Sequence, residues 1–278
     1  MPLFAALEAG GTKFVCGIGS GPADLLTLEI PTTLPQETID RCIDFFRREA
    51  GADLEALGIA AFGPVDLTSG CITSTPKPGW RDCDLVGPLR GALEVPVVFQ
   101  TDVNSALTGE ARWGAARGIE NCLYLTIGTG IGGAALASGR LLKGASHPEM
   151  GHIRIPRLTE DVGFPGVCPF HADCLEGLAS GPAIAARAGR PGESLPADHP
   201  AWQLEAQYLA LGLASLVCTL SPECCILGGG VMQQSQLLEM IQTRLGPLLN
   251  GYVPAPQLVR PALGIRSGVL GALALAGA

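Results

Sequence analysis

The chain has 278 residues, which is long enough for one large domain or two moderate ones. Hydrophobic residues make up 47% of it and charged residues 16%, a composition that excludes a disordered chain. The net charge is −8 and no basic patch is visible, which argues against nucleic acid and against a membrane surface as partners.

Nothing in the sequence indicates export or membrane insertion. The first residues, "MPLFAALEAGGTK", lack the basic region, apolar run and cleavage site of a signal peptide. The most apolar tract, "LALGLASLVCTL", is too short to span a bilayer. We therefore expect a cytoplasmic protein whose ten cysteines are mostly thiols.

The first half of the chain alternates between predicted strands and helices. "LFAALEAGGTKFVCGIG" predicts two apolar strands joined by a glycine turn, and "TIDRCIDFFRREA" has the spacing of an amphipathic helix. "LEALGIAAFGPVD" predicts a buried strand that runs into a loop. "VPVVFQTDVNSALTGEARWGAA" predicts a strand, a polar break and a helix.

The same order begins again near residue 120. "NCLYLTIGTGIGGAALASGRLL" predicts a second strand, glycine turn and strand. Helices follow, then the strand "ECCILGGGVM", another helix and a final apolar helix, "RSGVLGALALAGA". This internal repeat predicts two related α/β halves with a cleft between them.

Three glycine loops follow predicted strands, at residues 8–13, 128–133 and 228–231. Glycine lets backbone N–H groups approach phosphate oxygens, although each loop alone is equally compatible with a tight hairpin. "GTGIGG" has the spacing of a dinucleotide fingerprint, but a strand and not a helix is predicted after it, which excludes that interpretation. Together the loops favour a phosphorylated nucleotide as ligand.

One irregular stretch contains two of the four histidines and two cysteines. Cys168, His171 and Cys174 are spaced C-x2-H-x2-C, and His152 lies upstream. Two thiolates and two imidazoles suit tetrahedral Zn²⁺, and a full set of four ligands indicates a structural ion. The alternative is a pair of core thiols with two surface histidines.

These motifs resemble the ROK family of repressors, open reading frames and sugar kinases. "EAGGTK", "TDVNSALTGEARWGAA", "IGTGIGGA", "PEMGH", "CLEG" and "LGGGV" occur in the family's order, and "TPKPGW" and the metal cluster resemble its bacterial fructokinase branch. The resemblance implies an α/β, two-domain ribonuclease-H-like (actin-type ATPase) fold with ATP and sugar in an interdomain cleft. The expected domains are residues 1–117, joined by the C-terminal helix 267–278, and residues 118–266 with the zinc-binding loop.

The resemblance also implies roles for individual residues. Asp102 is the expected general base. The expected sugar-binding residues are Asn104, Glu149, His152 and Glu176. The expected nucleotide-binding residues are Gly10, Gly11, Thr12, Lys13, Thr129, Gly130, Pro182 and Gly229. The expected ligands of structural Zn²⁺ are His152, Cys168, His171 and Cys174, and Mg²⁺ is expected to arrive with ATP.

Two departures from the family's commoner pattern are visible. His171 replaces a cysteine, as in the fructokinase branch, and Glu8 stands where many relatives have aspartate. Asp102 and Asn104 could also be ordinary helix caps. Because residues at i and i+2 do not share a helix face, both can point into a cleft only if the chain is still irregular there.

The resulting hypothesis is an ATP-dependent fructokinase that forms fructose 6-phosphate and assembles as a homodimer. A mannokinase or glucokinase of the same family is the first alternative. A sugar-responsive repressor of this family is the second alternative. The family's repressors have a DNA-binding segment before the first glycine loop. Here that loop begins at Glu8, so we do not expect a repressor. A non-catalytic sugar sensor is the third interpretation, and the intact glycine loops and Asp102 argue against it.

Overall fold

The computed structural model describes residues 2–50, 53–75 and 77–278. They form two compact units: unit 1 comprises Met1–Arg117 with Ala262–Ala278, and unit 2 comprises Gly118–Pro261. The chain returns to unit 1 at residue 262, five residues before the expected boundary. The reason is the buried carboxylate of Glu110, which accepts hydrogen bonds from the amides of Ala262 (3.1 Å) and Leu263 (3.0 Å).

Unit 1 is built on a mixed sheet with helices packed against it. The sheet has the order β3-β2-β1-β4-β8, in which β1, β2 and β3 are antiparallel and β1, β4 and β8 are parallel. Its strands are β1 (Leu3–Ala9), β2 (Lys13–Gly19), β3 (Leu26–Pro31), β4 (Leu54–Ala61) and β8 (Val97–Thr101). A small sheet consists of β5 (Val65–Asp66), β6 (Cys71–Ile72) and β7 (Cys83–Asp84).

The helices of unit 1 are α1 (Pro35–Ala50), α2 (Val86–Leu93), α3 (Asp102–Trp113) and the C-terminal α8 (Ser267–Ala276). Helix α8 is apolar all round and lies directly on the sheet and on α3. A Cβ atom at Gly58 would lie 1.8 Å from the carbonyl oxygen of Ala272, so only glycine allows this approach. Trp80 of the "TPKPGW" motif is fully buried and donates from Nε1 to the carbonyl of Thr33 (2.9 Å), whereas Pro76 lies outside the described residues.

Unit 2 repeats the topology of the unit 1 sheet. Its order is β11-β10-β9-β12-β13, with an antiparallel arm of β9 to β11 and a parallel arm of β9, β12 and β13. The strands are β9 (Cys122–Ile127), β10 (Ile131–Ala137), β11 (Arg140–Leu141), β12 (Cys224–Gly228) and β13 (Gln257–Val259). The helices are α4 (Leu175–Ala179), α5 (Gly181–Ala188), α6 (Ala201–Leu220) and α7 (Leu237–Leu249).

The predicted internal repeat is confirmed at the level of strand order, since each five-stranded sheet begins with a hairpin and adds two parallel strands. "GTGIGG" leads into β10 and not into a helix, so the exclusion of a dinucleotide fingerprint is confirmed. Among the described residues, no helix combines the length and apolar character that a bilayer crossing requires.

Candidate active site and metal centre

The four expected metal ligands converge in unit 2. One ligand atom from each of His152, Cys168, His171 and Cys174 lies within 4.8 Å of all the others. His152 Nδ1 is 3.3 Å from His171 Nδ1, 3.5 Å from Cys174 Sγ and 3.7 Å from Cys168 Sγ. Cys168 Sγ is 3.8 Å from His171 Nδ1.

These separations fit a tetrahedral ion. With bonds of about 2.3 Å to sulfur and about 2.0 Å to nitrogen, the edges of a tetrahedron are about 3.3 Å between nitrogens and about 3.5 Å between nitrogen and sulfur. Burial raises the pKa of the Cys174 thiol to about 11, so its ligating thiolate form requires a nearby cation. The donor set therefore fits Zn²⁺ in both geometry and chemistry.

The backbone around the cluster forms a tight knuckle. Cys168 and Ala172 exchange two backbone hydrogen bonds, of 3.2 and 2.9 Å, and Ala172 adopts a positive φ of 55°. A Cβ atom at Gly177 would lie 1.8 Å from the carbonyl oxygen of Ala172, and one at Gly166 would lie 2.1 Å from it. Two glycines thus allow the turn that aims Cys168 and Cys174 at one point.

Glu176 links the candidate metal centre to the second glycine loop. It lies in the first turn of α4, whose N-cap is the metal-ligand candidate Cys174. Its Oε2 accepts a hydrogen bond from the backbone amide of Ile131 (2.9 Å). The expected sugar-binding carboxylate is therefore also part of the scaffold of residues 128–131.

Glu149 lies between two imidazoles. Its Oε1 accepts a hydrogen bond from His147 Nε2 (2.9 Å), and its Oε2 is 4.0 Å from Nε2 of His152. The His152 ring thus points Nδ1 at the metal-ligand cluster and Nε2 at a carboxylate that is half exposed. Metal-bound histidines commonly use their second nitrogen in this way.

The second and third glycine loops meet at one edge of the unit 2 sheet. Gly228 pairs with Thr126, so the residues that follow β9 and β12 lie side by side. Gly229 has φ of +94°, and a Cβ atom there would lie 2.2 Å from the carbonyl oxygen of Ile127. The amide of Gly181, at the start of α5, donates to the carbonyl of Gly128 (2.7 Å). Thr129, Gly130, Pro182 and Gly229 are therefore brought together.

The first glycine loop and Asp102 share one edge of the unit 1 sheet. Ala9, Ala61 and Thr101 are aligned across three parallel strands, so the segments after β1 and β8 begin at the same level. Ligands of α/β sheets bind at this carboxyl edge. Thr32 closes the loop, because its hydroxyl donates to Gly10 (2.8 Å) and its amide donates to Thr12 (3.0 Å).

The side chain of Lys13 already has an ionic partner, which it would have to leave in order to bind another anion. Its ammonium forms an ion pair with Glu29 of β3, and both side chains are more than half exposed. Exposed pairs of this kind contribute little to stability, so a phosphate could replace Glu29 at small cost. Gly10, Gly11 and Thr12 precede Lys13 in the same tight turn, in which the Gly10 amide donates to the Lys13 carbonyl (3.0 Å).

The expectation of an irregular chain at residues 102–104 is wrong. Helix α3 begins at Asp102, and Thr101 is its N-cap, accepting from the amide of Asn104 (3.2 Å). Asn104 is buried and donates from its side-chain amide to Gln100 Oε1 (2.9 Å). A threonine cap that satisfies the first-turn amides starts the helix earlier than the polar residues suggested.

Glu8 has an unusual environment for a carboxyl group. Its carboxylate lies against the N-terminus of α8, where a Cβ atom at Gly268 would be 2.3 Å away, and it accepts a hydrogen bond from the amide of Val269. Burial, reinforced by the negative charge of Asp102, raises the pKa of Glu8 to about 7. Lys13 opposes this rise in pKa, and Glu29 adds to it.

Sequence reasoning missed two of these partners. His147 was not singled out, although the "HPEMGH" segment places it two residues before an expected sugar ligand. The pairing of Glu29 with Lys13 depends on strand register, which single residues do not reveal.

The sequence of residues 4–278 matches the ROK family. The chain is 44% identical to a fructokinase of Lactococcus lactis subsp. cremoris, over 91% of this chain and 87% of that protein. It is 42% identical to a fructokinase of Pediococcus pentosaceus, over 99% of this chain and 97% of the relative. The chain therefore belongs to the ROK family.

The fold is similar to that of a solved ROK family glucokinase from Streptomyces griseus in complex with glucose and AMPPNP. The TM-score is 0.77 at 28% identity, over 99% of each chain. The expected two-domain fold of the ribonuclease-H-like, actin-type class is thereby confirmed.

A stability measurement tests the environment of Glu8. Because its pKa is raised in the folded protein, the folded state binds a proton more tightly than the unfolded state between pH 4.5 and about 7. Stability therefore falls as pH rises through that window. Glu8→Gln cannot ionise, so its advantage over the wild type in free energy of unfolding should be larger at pH 8 than at pH 5, by about 2.5 kcal/mol.

Urea unfolding at pH 5 and pH 8 measures this difference. Glu55→Gln, at an exposed carboxylate of β4, is the matched control and should shift neither value. An unchanged gap between wild type and Glu8→Gln at the two pH values would contradict the proposed environment.

Proposed function

We propose that this protein is an ATP-dependent fructokinase that transfers the γ-phosphoryl group of ATP to D-fructose and forms fructose 6-phosphate. The observation with most weight is the identity of 42–44% to the two fructokinases over nearly the whole chain. The glucokinase of known structure is less similar, at 28% identity. Phosphoryl transfer to mannose or glucose is therefore the weaker alternative.

Unit 1 supplies the base in this proposal. Asp102 accepts the proton of the sugar hydroxyl as that oxygen attacks the γ-phosphorus of ATP, and the bond from this phosphorus to the bridging oxygen of ADP breaks. Its place at the carboxyl edge of parallel strands, level with the first glycine loop, supports this role. The Lys13 ammonium would leave Glu29 and bind phosphate oxygens.

Unit 2 supplies the other contacts to nucleotide and sugar. Its two adjoining glycine loops would bind phosphate and nucleoside, with Thr129 and Gly130 near the phosphates and Pro182 and Gly229 at the nucleoside. Glu149, His152 and Glu176 would bind sugar hydroxyls. Asn104 is left out of this set, because it is buried, donates to Gln100 and does not share a helix face with Asp102. Carboxylate oxygens accept hydrogen bonds from hydroxyls and so can orient a hexose.

Two metal ions belong to the proposal. Zn²⁺ on His152, Cys168, His171 and Cys174 would hold the irregular loop, and a closed set of four ligands gives it a structural role. Mg²⁺ bound to ATP would neutralise charge that develops on the phosphates. We place the protein in the cytoplasm, where ATP is available and thiols stay reduced, and we expect a homodimer.

A panel of sugars tests the proposed activity. Release of ADP, measured with a coupled assay in the presence of Mg²⁺, should be fastest with fructose when fructose, mannose, glucose and N-acetylmannosamine are compared. The product should be identified as fructose 6-phosphate. Preference for glucose or mannose would replace fructokinase with the alternative, and no turnover with any hexose would overturn the proposal.

Substitution of the base gives the second test. Asp102→Asn keeps the shape of the side chain but removes the proton acceptor, so kcat should fall by about 10²- to 10⁴-fold while the thermal midpoint changes little. Asp40→Asn, at an exposed position of α1, is the matched control and should keep full activity. Near-normal turnover of Asp102→Asn would remove Asp102 from the mechanism.

Metal analysis gives the third test. The purified protein should contain about one Zn²⁺ per chain, and Cys174→Ser should lose most of it because serine is a poor zinc ligand. Sugar affinity should fall before nucleotide affinity, as shown by separate titrations. Cys218→Ser, at an exposed cysteine of α6, should keep its metal and both affinities.

Two results would be incompatible with this assignment. A metal-free wild type with full activity would refute the zinc site. A Cys174→Ser protein that loses nucleotide affinity first would show that the metal does not serve the sugar contacts.

A further inference from the structure

The backbone of segment 147–149 places its first and last side chains close to each other. Pro148 disfavours the helical region for the residue before it, so His147 is restricted to extended conformations. In an extended chain, side chains at i and i+2 project to the same side. His147 and Glu149 accordingly meet, with 2.9 Å between His147 Nε2 and Glu149 Oε1.

The direction of this hydrogen bond is fixed by chemistry. An ionised carboxylate only accepts, so the imidazole Nε2–H donates to Oε1. The imidazole is the anchored partner, since the His147 side chain is 14% exposed and that of Glu149 is 50% exposed. A largely buried donor therefore holds a carboxylate that is half exposed.

The second oxygen of Glu149 is placed by a different element. The 3₁₀ turn Met150–His152 brings His152 back over Glu149, with the His152 amide donating to the Glu149 carbonyl (3.0 Å). This turn leaves His152 Nε2 4.0 Å from Oε2. The metal-ligand candidate thus faces one oxygen of Glu149, and His147 binds the other.

We propose that His147 is a positioning residue for sugar binding, which orients the Glu149 carboxylate so that its free lone pairs accept hydrogen bonds from hydroxyls of the hexose. This inference rests on the proposed role of Glu149 in sugar binding. Without His147 the carboxylate can rotate about its last side-chain bond, and that freedom must be lost again when the sugar binds.

Kinetics of variants at residue 147 test the proposal. His147→Ala should raise KM for fructose about tenfold, change kcat less, and leave KM for ATP within about twofold. His147→Gln retains an N–H donor that can reach Oε1, so it should restore most of the lost affinity. Zinc content and thermal midpoint should stay at wild-type values in both variants. His199→Ala, at a histidine outside this segment, is the control for loss of an imidazole and should keep KM for fructose.

A double-mutant cycle with Glu149→Ala keeps the test valid if glutamine proves a poor replacement. His147→Ala should have little further effect on KM for fructose once Glu149 is alanine, because the group it orients is gone. Additive effects, an unchanged KM in His147→Ala, or a loss of zinc parallel to the rise in KM would each overturn the proposal. A wild type that phosphorylates no hexose would instead refute the proposed function, so the two failures are distinguishable.

Discussion

The convergence of two imidazoles and two thiols in unit 2 is the constraint on which the proposed sugar contacts depend. The four ligand atoms lie within 4.8 Å of one another, and two of them are imidazole nitrogens only 3.3 Å apart. Without a cation this arrangement is unfavourable, since none of the four groups can satisfy all of the others. With Zn²⁺ it becomes a cross-link that ties residue 152 to residues 168–174. The stretch between them has little regular structure of its own, so such a cross-link would supply its order.

The repeated sheet topology explains why the glycine loops occur where they do. In each unit a hairpin begins the sheet and parallel strands extend it, so the segments after the parallel strands gather at one edge. In unit 2 the segments after β9 and β12 touch through Gly229 and the carbonyl of Ile127. In unit 1 Glu8 lies near the end of β1 and Asp102 directly follows β8, and the negative charge of Asp102 contributes to the raised pKa of Glu8. Strand order therefore determines that the candidate site residues gather at these edges, and the residue types determine which ligand can bind there.

Much of this could be predicted from the sequence, because apolar runs and glycine turns are local signals. The strand after "GTGIGG" and the four metal-ligand candidates are examples. The start of α3 was misjudged because the cap is Thr101, a residue that also ends a strand. The return to unit 1 at residue 262 was missed because it depends on Glu110, which is 152 residues away in the chain. Contacts across such distances leave no local pattern, and the pairing of His147 with Glu149 was missed because proline and histidine have many other uses.

The unit 2 contacts also explain why the two sides of the proposed site should differ in their dependence on the metal. Glu176, two residues after Cys174, bonds to the amide of Ile131, so the metal centre reaches the second glycine loop as well. That loop has independent support, because β9 and β10 pair on both sides of it and the amide of Gly181 binds Gly128. Glu149 has only a short 3₁₀ turn after it, and the turn ends at the metal-ligand candidate His152. Loosening of the candidate metal centre would therefore reach Glu149, the proposed sugar-binding carboxylate, directly, whereas the second glycine loop would keep its shape through the sheet.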